Sequence, residues 1–515
     1  MADIGIDKKI VKNTLMLYIR MFLMMLISLY TGRLVLDVLG IEDYGIYNVV
    51  GGFVAMFSII SGAMVGASQR FISYELGRNG GGCVHKVFCT TVSIHIILAG
   101  IILILGETLG VWLVNNYLKF SPERYVAANW VFQFSLFTFI FNIISIPYNA
   151  AIIAYEKMSA FAYISILEAV LKLVIVYLLL ISSFDKLVLY SLFMFCIAVI
   201  IRFVYTIYCS FHFKDCRYRF ILDKEQVKIM LSYTGWNFLG ACGGTFRGQG
   251  VNMVLNNFFG AAANAAQGVS NHVLGAITGL VSNFNMAMNP QIIKRYAAGE
   301  KESMFKLLFS GSRLSFVLLL VISTPIVIEA PFVLGIWLKN VPEFSVQFLR
   351  ITIYVALFDS LSRNLVTAMQ ASGVVRDTNI AAFIVSLLAM PLTYLFFFLG
   401  CSPYFAAIAQ LIVSLGLLWV RGIILKNIIG FPFSLFFTNV ILKMLLTTVM
   451  VFASSYVFVL FMNNISDSFF IHIFNFVISL TLSLIISYFM GFTNEERQVV
   501  ITKISFIIKN KLGRK

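Results

Sequence analysis

The sequence predicts an all-α polytopic membrane protein, and three observations carry that expectation. Of 515 residues, 60% are hydrophobic and only 12% charged, whereas soluble domains carry roughly 25% charged residues. The mean hydropathy is +0.91. Apolar runs of about 20 residues recur along the whole chain, each long enough to cross a hydrocarbon core about 30 Å thick. No long Pro/Ser-rich linker or low-complexity tract interrupts them, so one membrane domain is expected.

In chain order, about fourteen helices are expected. They lie near 13–36, 44–67, 87–115, 127–152, 160–182, 187–211, 229–258, 262–289, 305–329, 344–370, 378–400, 403–425, 437–462 and 469–491. The run 87–115 is long enough for a tilted span with an interfacial extension. Lysines precede the first run but no small-residue cleavage site follows it, so it reads as a retained helix and not a signal peptide.

Orientation follows from the basic residues, which are enriched in cytoplasmic loops. Lys8, Lys9 and Lys12, the cluster Lys214, Arg217, Arg219, Lys224 and Lys228, and the C-terminal tail fall on one side. The opposite loops hold only Arg33, Lys119, Arg124, Lys186 and Lys339. Both termini are therefore expected in the cytoplasm. The net charge of +15 sits in short connectors and does not stripe a soluble face, which argues against nucleic acid as a partner. The seven cysteines include no C-x-x-C pair, and Cys196 and Cys242 lie inside apolar runs; they read as reduced packing residues. The five histidines form no ligand pattern, so no metal or other cofactor is expected.

Two stretches about 220 residues apart resemble each other: "LGIEDYGIYNVVGGF" from Leu39-Gly40, and "FGAAANAAQGVSNHV" around Gly260. Each leads to a loop, "SYELGRNG" against "KRYAAGE". Farther on, Gly110-Val-Trp112-Leu matches Gly335-Ile-Trp337-Leu, and Ala151-x-x-Ala154 matches Ala368-x-x-Ala371. A six-helix repeat has an even number of spans, so both halves run the same way, related by an axis along the membrane normal with a site between them. The expected organisation is an N-terminal six-helix lobe (1–211), a cytoplasmic connector (212–228), a C-terminal six-helix lobe (229–426), two additional helices (427–491) and a basic tail (492–515).

Polar residues inside spans mark candidate function, because lipid cannot satisfy them. The eighth helix carries Asn264, Gln267, Asn271, Thr278, Ser282, Asn285 and Asn289 at three- and four-residue spacing. At 100° per residue they fall within an arc of about 80°. One or two such residues serve as interhelical glue; seven favour a hydrated cavity. The second helix has a milder version, with Tyr44, Tyr47, Gly51, Ala55, Ser58 and Gly62. The seventh helix carries "GACGGTFRGQG", which lacks the Gly-Lys-Ser/Thr of a phosphate loop. Its Gly240, Gly244 and Gly248, four apart, suit close helix packing. Thr245, Gln249, Asn252 and Asn256 form a second polar stripe, and on an ideal helix Arg247 points nearly opposite to it.

Intramembrane charge costs about 2.5–3.5 kcal/mol on insertion scales. Glu168 with Lys172, and Asp359 with Arg363, are spaced to pair within one helix. Arg313 and Lys443 are placed to snorkel to the cytoplasmic surface. Arg20 and Arg247 have no local acidic partner. Unpaired guanidiniums suit an anionic ligand, since their fork can hold phosphate bidentately.

With these residues in view, the chain resembles the polysaccharide (O-antigen or capsule repeat-unit) flippases of the multidrug/oligosaccharidyl-lipid/polysaccharide exporter superfamily. The specific parts are "LGIEDYGIYNVV" at 39–50 and "ASQRFISYELGR" at 67–78. The resemblance covers roughly residues 10–425. It implies a V-shaped pair of six-helix lobes that alternates access in a bacterial inner membrane. It further implies a polyprenyl-pyrophosphate-linked oligosaccharide as substrate, with membrane lipids and other polysaccharide-assembly proteins as partners. Arg20 and Arg247 are then the pyrophosphate candidates. Tyr44, Tyr47, Gln249, Asn252, Asn256, Gln267, Asn271, Ser282 and Asn285 are the glycan candidates.

Two rivals compete with this expectation. A drug or cation exporter of the same superfamily should place unpaired acids in its cavity, whereas Glu168 and Asp359 have basic neighbours and Glu329 is near a helix end. An integral-membrane glycosyltransferase or ligase could use Glu42-Asp43, but it usually needs a large outer loop. No Walker motif is present, and the chain is not expected to be an enzyme.

Overall fold

The structure, a computed structural model, describes residues 8–55, 58–78, 83–116, 122–338, 341–463 and 468–498. Lys119, Lys339 and the tail from 499 lie outside these residues, as do the side chains of Lys8, Lys9, Lys12, Arg33, Glu42 and Tyr44.

The helical paths follow the expected runs one by one. They are α1 (8–39), α2 (41–55, then Ser58–Gly77), α3 (Val84–Asn116), α4 (Tyr125–Ala154), α5 (Met158–Ile181) and α6 (Lys186–His212). After a connector come α7 (224–259), α8 (261–297), α9 (Lys301–Ile328, continued by Ala330–Trp337), α10 (Ser345–Ser372), α11 (Arg376–Phe398) and α12 (Phe405–Ile429). Finally α13 (Phe433–Met462) and α14 (Phe469–Gly491) complete the bundle. Helices α2 and α8 run well past their apolar stretches, through Arg70 and Glu75 in one and Lys294 and Arg295 in the other. Hydropathy stops where the apolar solvent stops, but backbone hydrogen bonding continues into water.

Nine helices among the described residues are long and apolar enough to cross a membrane: α3–α6, α9 and α11–α14. The helices outside that set are α1, α2, α7, α8 and α10. They are the ones that bear Arg20, Tyr47, Arg247, the amide stripes and Asp359.

The repeat is written into the backbone. Gly40 (φ 79, ψ 171) separates α1 from α2, and Gly260 (φ 74, ψ −170) separates α7 from α8. That region of backbone space is essentially open to glycine alone, so both stretches make the same sharp turn for the same reason. A second matched pair closes the fourth helix of each half, where Glu156 (φ 60) and Gly373 (φ 79) are both left-handed. The alanines just before them, Ala151, Ala154, Ala368 and Ala371, are all fully buried. Trp112 and Trp337 are both exposed near the ends of their helices.

The described residues pack as two compact units, 11–238 and 239–498, the latter also taking in residues 8–10. In the first, α4 is central and touches α2, α3 and α6. In the second, α10 holds the corresponding place against α8, α9 and α12. Gly106 and Gly110 sit in a π-helical turn of α3, where a Cβ would strike Leu136 and Phe132 of α4. In the second unit, α13 and α14 pack on α9.

Three expectations about charge are corrected here. Arg313 does not snorkel: it is buried and grips Glu496, with Nη2–Oε1 at 2.5 Å and Nε–Oε1 at 3.1 Å. Lys443 donates to the Phe492 carbonyl at 3.0 Å. Both therefore hold the segment after α14 onto the bundle. Asp359 and Arg363 do not pair; Arg363 is exposed and Asp359 turns to another helix. Glu168 and Lys172 do pair, at 2.6 Å.

Candidate functional site

The glycine-rich part of α7 does not break. It winds as a π-helical turn over Phe246–Gly250, a feature that often marks functional positions. The packing glycines are not the expected set. Gly240, Gly243 and Gly250 abut Asn379, Phe383 and Met390 of α11, where a Cβ would approach to 2.3, 2.9 and 2.5 Å, while Gly244 and Gly248 face open space.

This close docking on α11 presents Arg247 to α10 and α12. Its Nη2 donates to the Gln410 carbonyl at 3.0 Å and to Ser414 Oγ at 2.5 Å. Its Nη1 lies 3.5 Å from Asp359 Oδ2. Ser414 is fully buried and donates in turn to Asp359 Oδ1 at 2.8 Å. Arg247 thus has the acidic partner that local spacing concealed, because that partner is more than a hundred residues away in sequence. Arg421 joins the group by donating to Ser362 Oγ at 2.8 Å, close enough to feel the charges of Asp359, Arg247 and Arg363. Arg247 is the one guanidinium paired with Asp359, and with Arg421 and Arg363 nearby the cluster keeps a net positive charge.

Arg20 in the first unit is built differently. Its guanidinium carbon lies 4.5 Å from the ring centre of Phe161. It forms no ion pair among the described residues, and its buried Nε has no hydrogen-bond partner. Cation–π contact of this kind is worth about 0.5–2 kcal/mol, and it leaves the fork open to an anion.

The second stripe of α7 forms a polar recess of about 390 Å³. Gln249, Asn252 and Asn256 line it together with Met253, Asn257 and Asn264. The Gly260 turn brings Asn264 of α8 alongside the α7 amides. Arg247 is not among the lining residues, so the two features of α7 serve different places. Asn252 donates weakly to Gln249 Oε1 at 3.4 Å, and Asn264 Oδ1 is buried without a partner.

The long stripe of α8 divides in two. Asn271 and Ser282 are exposed. Gln267 is 4% exposed and Asn285 3%. Asn285 accepts from Ser315 Oγ at 2.9 Å, and Asn289 accepts from Thr367 Oγ1 at 3.0 Å. The end of α8 near Pro290 is therefore bonded into α9 and α10, and interhelical glue describes that part. Tyr47 packs edge-on against Tyr190, 4.9 Å between centroids, on the apolar core of its unit.

Sequence reasoning missed Ser414, Gln410, Arg421 and Asn257. The first two are spaced four apart on α12 and so share a face, which was the available signal. Asp43, half of the acidic pair weighed as catalytic, is 7% exposed. Arg124 donates to it at 2.6 Å and to Asp185 at 2.5 Å, tying the start of α2 to the start of α6. Among the described residues no group of three or more His, Cys, Asp or Glu could hold a metal ion.

Comparison with known proteins defines the class of this fold. A transporter of the MOP superfamily from Pyrococcus furiosus, described as having a binding pocket of reversed polarity, superposes with a TM-score of 0.69. The match covers 83% of this chain and 96% of that one at 15% identity. An outward-facing multidrug resistance MATE transporter of the same superfamily gives 0.68, covering 82% and 96% at 15% identity. A MATE transporter in complex with Rb+ gives 0.64, covering 81% and 95% at 15% identity. The chain has this multi-pass transporter fold. More particularly, residues 238–395 match the sequence model of the MatE family. No curated protein sequence matches the chain significantly.

Proposed function

We infer that the chain is a flippase that moves polyprenyl-pyrophosphate-linked oligosaccharide repeat units across a bacterial inner membrane by alternating access. The product would feed surface polysaccharide or lipopolysaccharide assembly, with other membrane proteins of that assembly as partners. The observation that carries this reading is the surplus of guanidinium in both units. Arg20 lies over an aromatic ring and forms no ion pair among the described residues, the nearby Glu168 being paired with Lys172, and Arg247, Arg363 and Arg421 outnumber Asp359. Such charge inside a membrane domain is costly unless something offsets it, and a pyrophosphate meets guanidinium through bonds about twice as strong as neutral ones. The amides of Gln249, Asn252, Asn256 and Asn264 supply both donors and acceptors, as sugar hydroxyls require. Both termini lie in the cytoplasm in this reading, on the side richer in Lys and Arg.

A drug or cation exporter shares the fold equally, and there the choice rests on pocket charge. For the Pyrococcus furiosus protein, a reversed polarity of the binding pocket is described as suggesting a different function within the same superfamily. In this chain the one acid of the cluster is already engaged by Arg247 and Ser414. The deciding experiment reconstitutes the protein in proteoliposomes and follows translocation of a lipid-linked glycan beside efflux of a lipophilic cation. Glycan translocation with no cation efflux is the expected outcome. Cation efflux alone would hand the protein to the exporter reading.

A further inference from the structure

A cavity of about 560 Å³ lies in the second unit at the end where α9 and α13 finish and α10 and α14 begin. That volume is in the range of small-molecule and cofactor sites, roughly 300–1,000 Å³. The helices added to the repeat build half of it, since α13 and α14 supply Phe452, Val459, Leu460 and His472. The pocket is apolar for most of its wall and carries a few placed polar groups, the composition of a site for an amphiphile.

The arrangement of charge decides which kind. Glu329, the buried acid at the break after α9, is committed: its Oε2 lies 2.7 Å from His472 Nδ1 and its Oε1 accepts from Asn475 Nδ2 at 3.0 Å. His472 is further fixed by stacking on Phe332 at 4.6 Å. Arg350 is not committed in the same way. Its Nε donates to the Val327 carbonyl at 3.0 Å, which fixes the plane of the fork. Its two terminal nitrogens make no hydrogen bond or ion pair among the described residues. The hydroxyls of Tyr354 and Tyr456 line the same cavity and are likewise unbonded there. The carboxylate is thus satisfied from α14, and the positive charge is left to whatever enters.

The geometry points to a binding site for an anionic phospholipid, with its phosphate on the Arg350 fork and its chains along the apolar wall. A planar guanidinium held by one nitrogen presents the other two as a bidentate donor pair, which matches phosphate oxygens. Tyr354, whose ring rests on Phe452 at 5.5 Å, and Tyr456 add hydroxyl donors to the same headgroup. The positive-inside rule assigns this end of the bundle to the outer leaflet. The site involves neither Arg20 nor the α7 recess, so it stands whether or not the chain carries a lipid-linked glycan.

The test is native mass spectrometry of the full chain released from nanodiscs, with phosphatidylglycerol and phosphatidylcholine supplied in turn. The wild-type protein should retain phosphatidylglycerol at least tenfold better than phosphatidylcholine. Arg350→Ala should abolish that preference, and Arg350→Lys should keep part of it because charge survives while the fork is lost. Lys306→Ala, which removes an exposed cation near the opposite end of α9, should leave it unchanged. Equal retention of the two lipids by the wild type overturns the proposal without any variant needing to fold. So does an unchanged preference in Arg350→Ala, or full displacement of the lipid by inorganic phosphate, which would make the site one for the free ion.

Discussion

The two units repeat one backbone and fill it with different chemistry. Gly40 and Gly260 adopt the same glycine-only turn, and a left-handed residue closes the fourth helix of each. Yet α1 offers a single arginine on a phenyl ring, while α7 offers an arginine tied to Asp359 and Ser414 beside a recess of amides. Geometry that shapes the path of the chain recurs because backbone sterics are the same in both halves. Side-chain charge is free to diverge once the turn is made. The comparison also separates stability from binding: Arg247 is bonded to its own unit, and Arg20 is held mainly by a ring.

The largest expected effects test that separation. Arg20→Ala and Arg247→Ala should each lower translocation of any lipid-linked glycan by roughly 100-fold, the equivalent of about 3 kcal/mol for a lost charge-assisted contact. Their thermal unfolding should differ. Arg247→Ala removes the ion-pair partner of Asp359, which keeps its bond from Ser414, at a cost of about 2 kcal/mol after discounting the value for fully buried pairs because that carboxylate is a third exposed. Arg20→Ala should barely move the melting temperature. Equal destabilisation by both would erase the distinction between the units.

Gly40→Ala and Gly260→Ala come next. Each forces a Cβ into a backbone region costing about 1–3 kcal/mol. The two losses of stability should be alike, measured by unfolding in detergent. A large inequality would break the repeat as a physical equivalence. Asn285→Ala should then cost about 1 kcal/mol, since it strands Ser315 in a buried site, with values in membranes averaging about 0.6. Asn271→Ala should leave stability intact and change only transport, by an amount that varies with the glycan.

The smallest effect is local and pH-dependent. Burial raises the Glu496 carboxyl, but the hydrogen bonds and charge of Arg313 and the Thr493 N–H more than offset this and hold it below the ordinary range. A depressed carboxyl stabilises docking above its unfolded value and loses that contribution as pH falls through the folded one. Limited proteolysis of the segment after α14 should therefore accelerate only in acid, below the usual glutamate range. Glu496→Gln should show the faster cleavage at neutral pH, and a pH-independent rate in the wild type would sink the clamp.

Much of this protein was legible before folding was considered. The run lengths, the scarcity of charge and the Gly40–Gly260 correspondence determined a membrane bundle with an internal repeat, because lipid and backbone sterics act on every residue locally. The Glu168–Lys172 pair was legible for the same reason, being one helical turn apart. Tertiary structure alone decided the rest. It gave Arg247 to Asp359 and Ser414, Arg313 to Glu496, and Glu329 to His472, each pair separated by more than a hundred residues. It also split the α8 stripe into exposed amides and buried glue. A helix presents its polar face by periodicity, but what meets that face depends on which helix packs there, and local spacing carries no record of it.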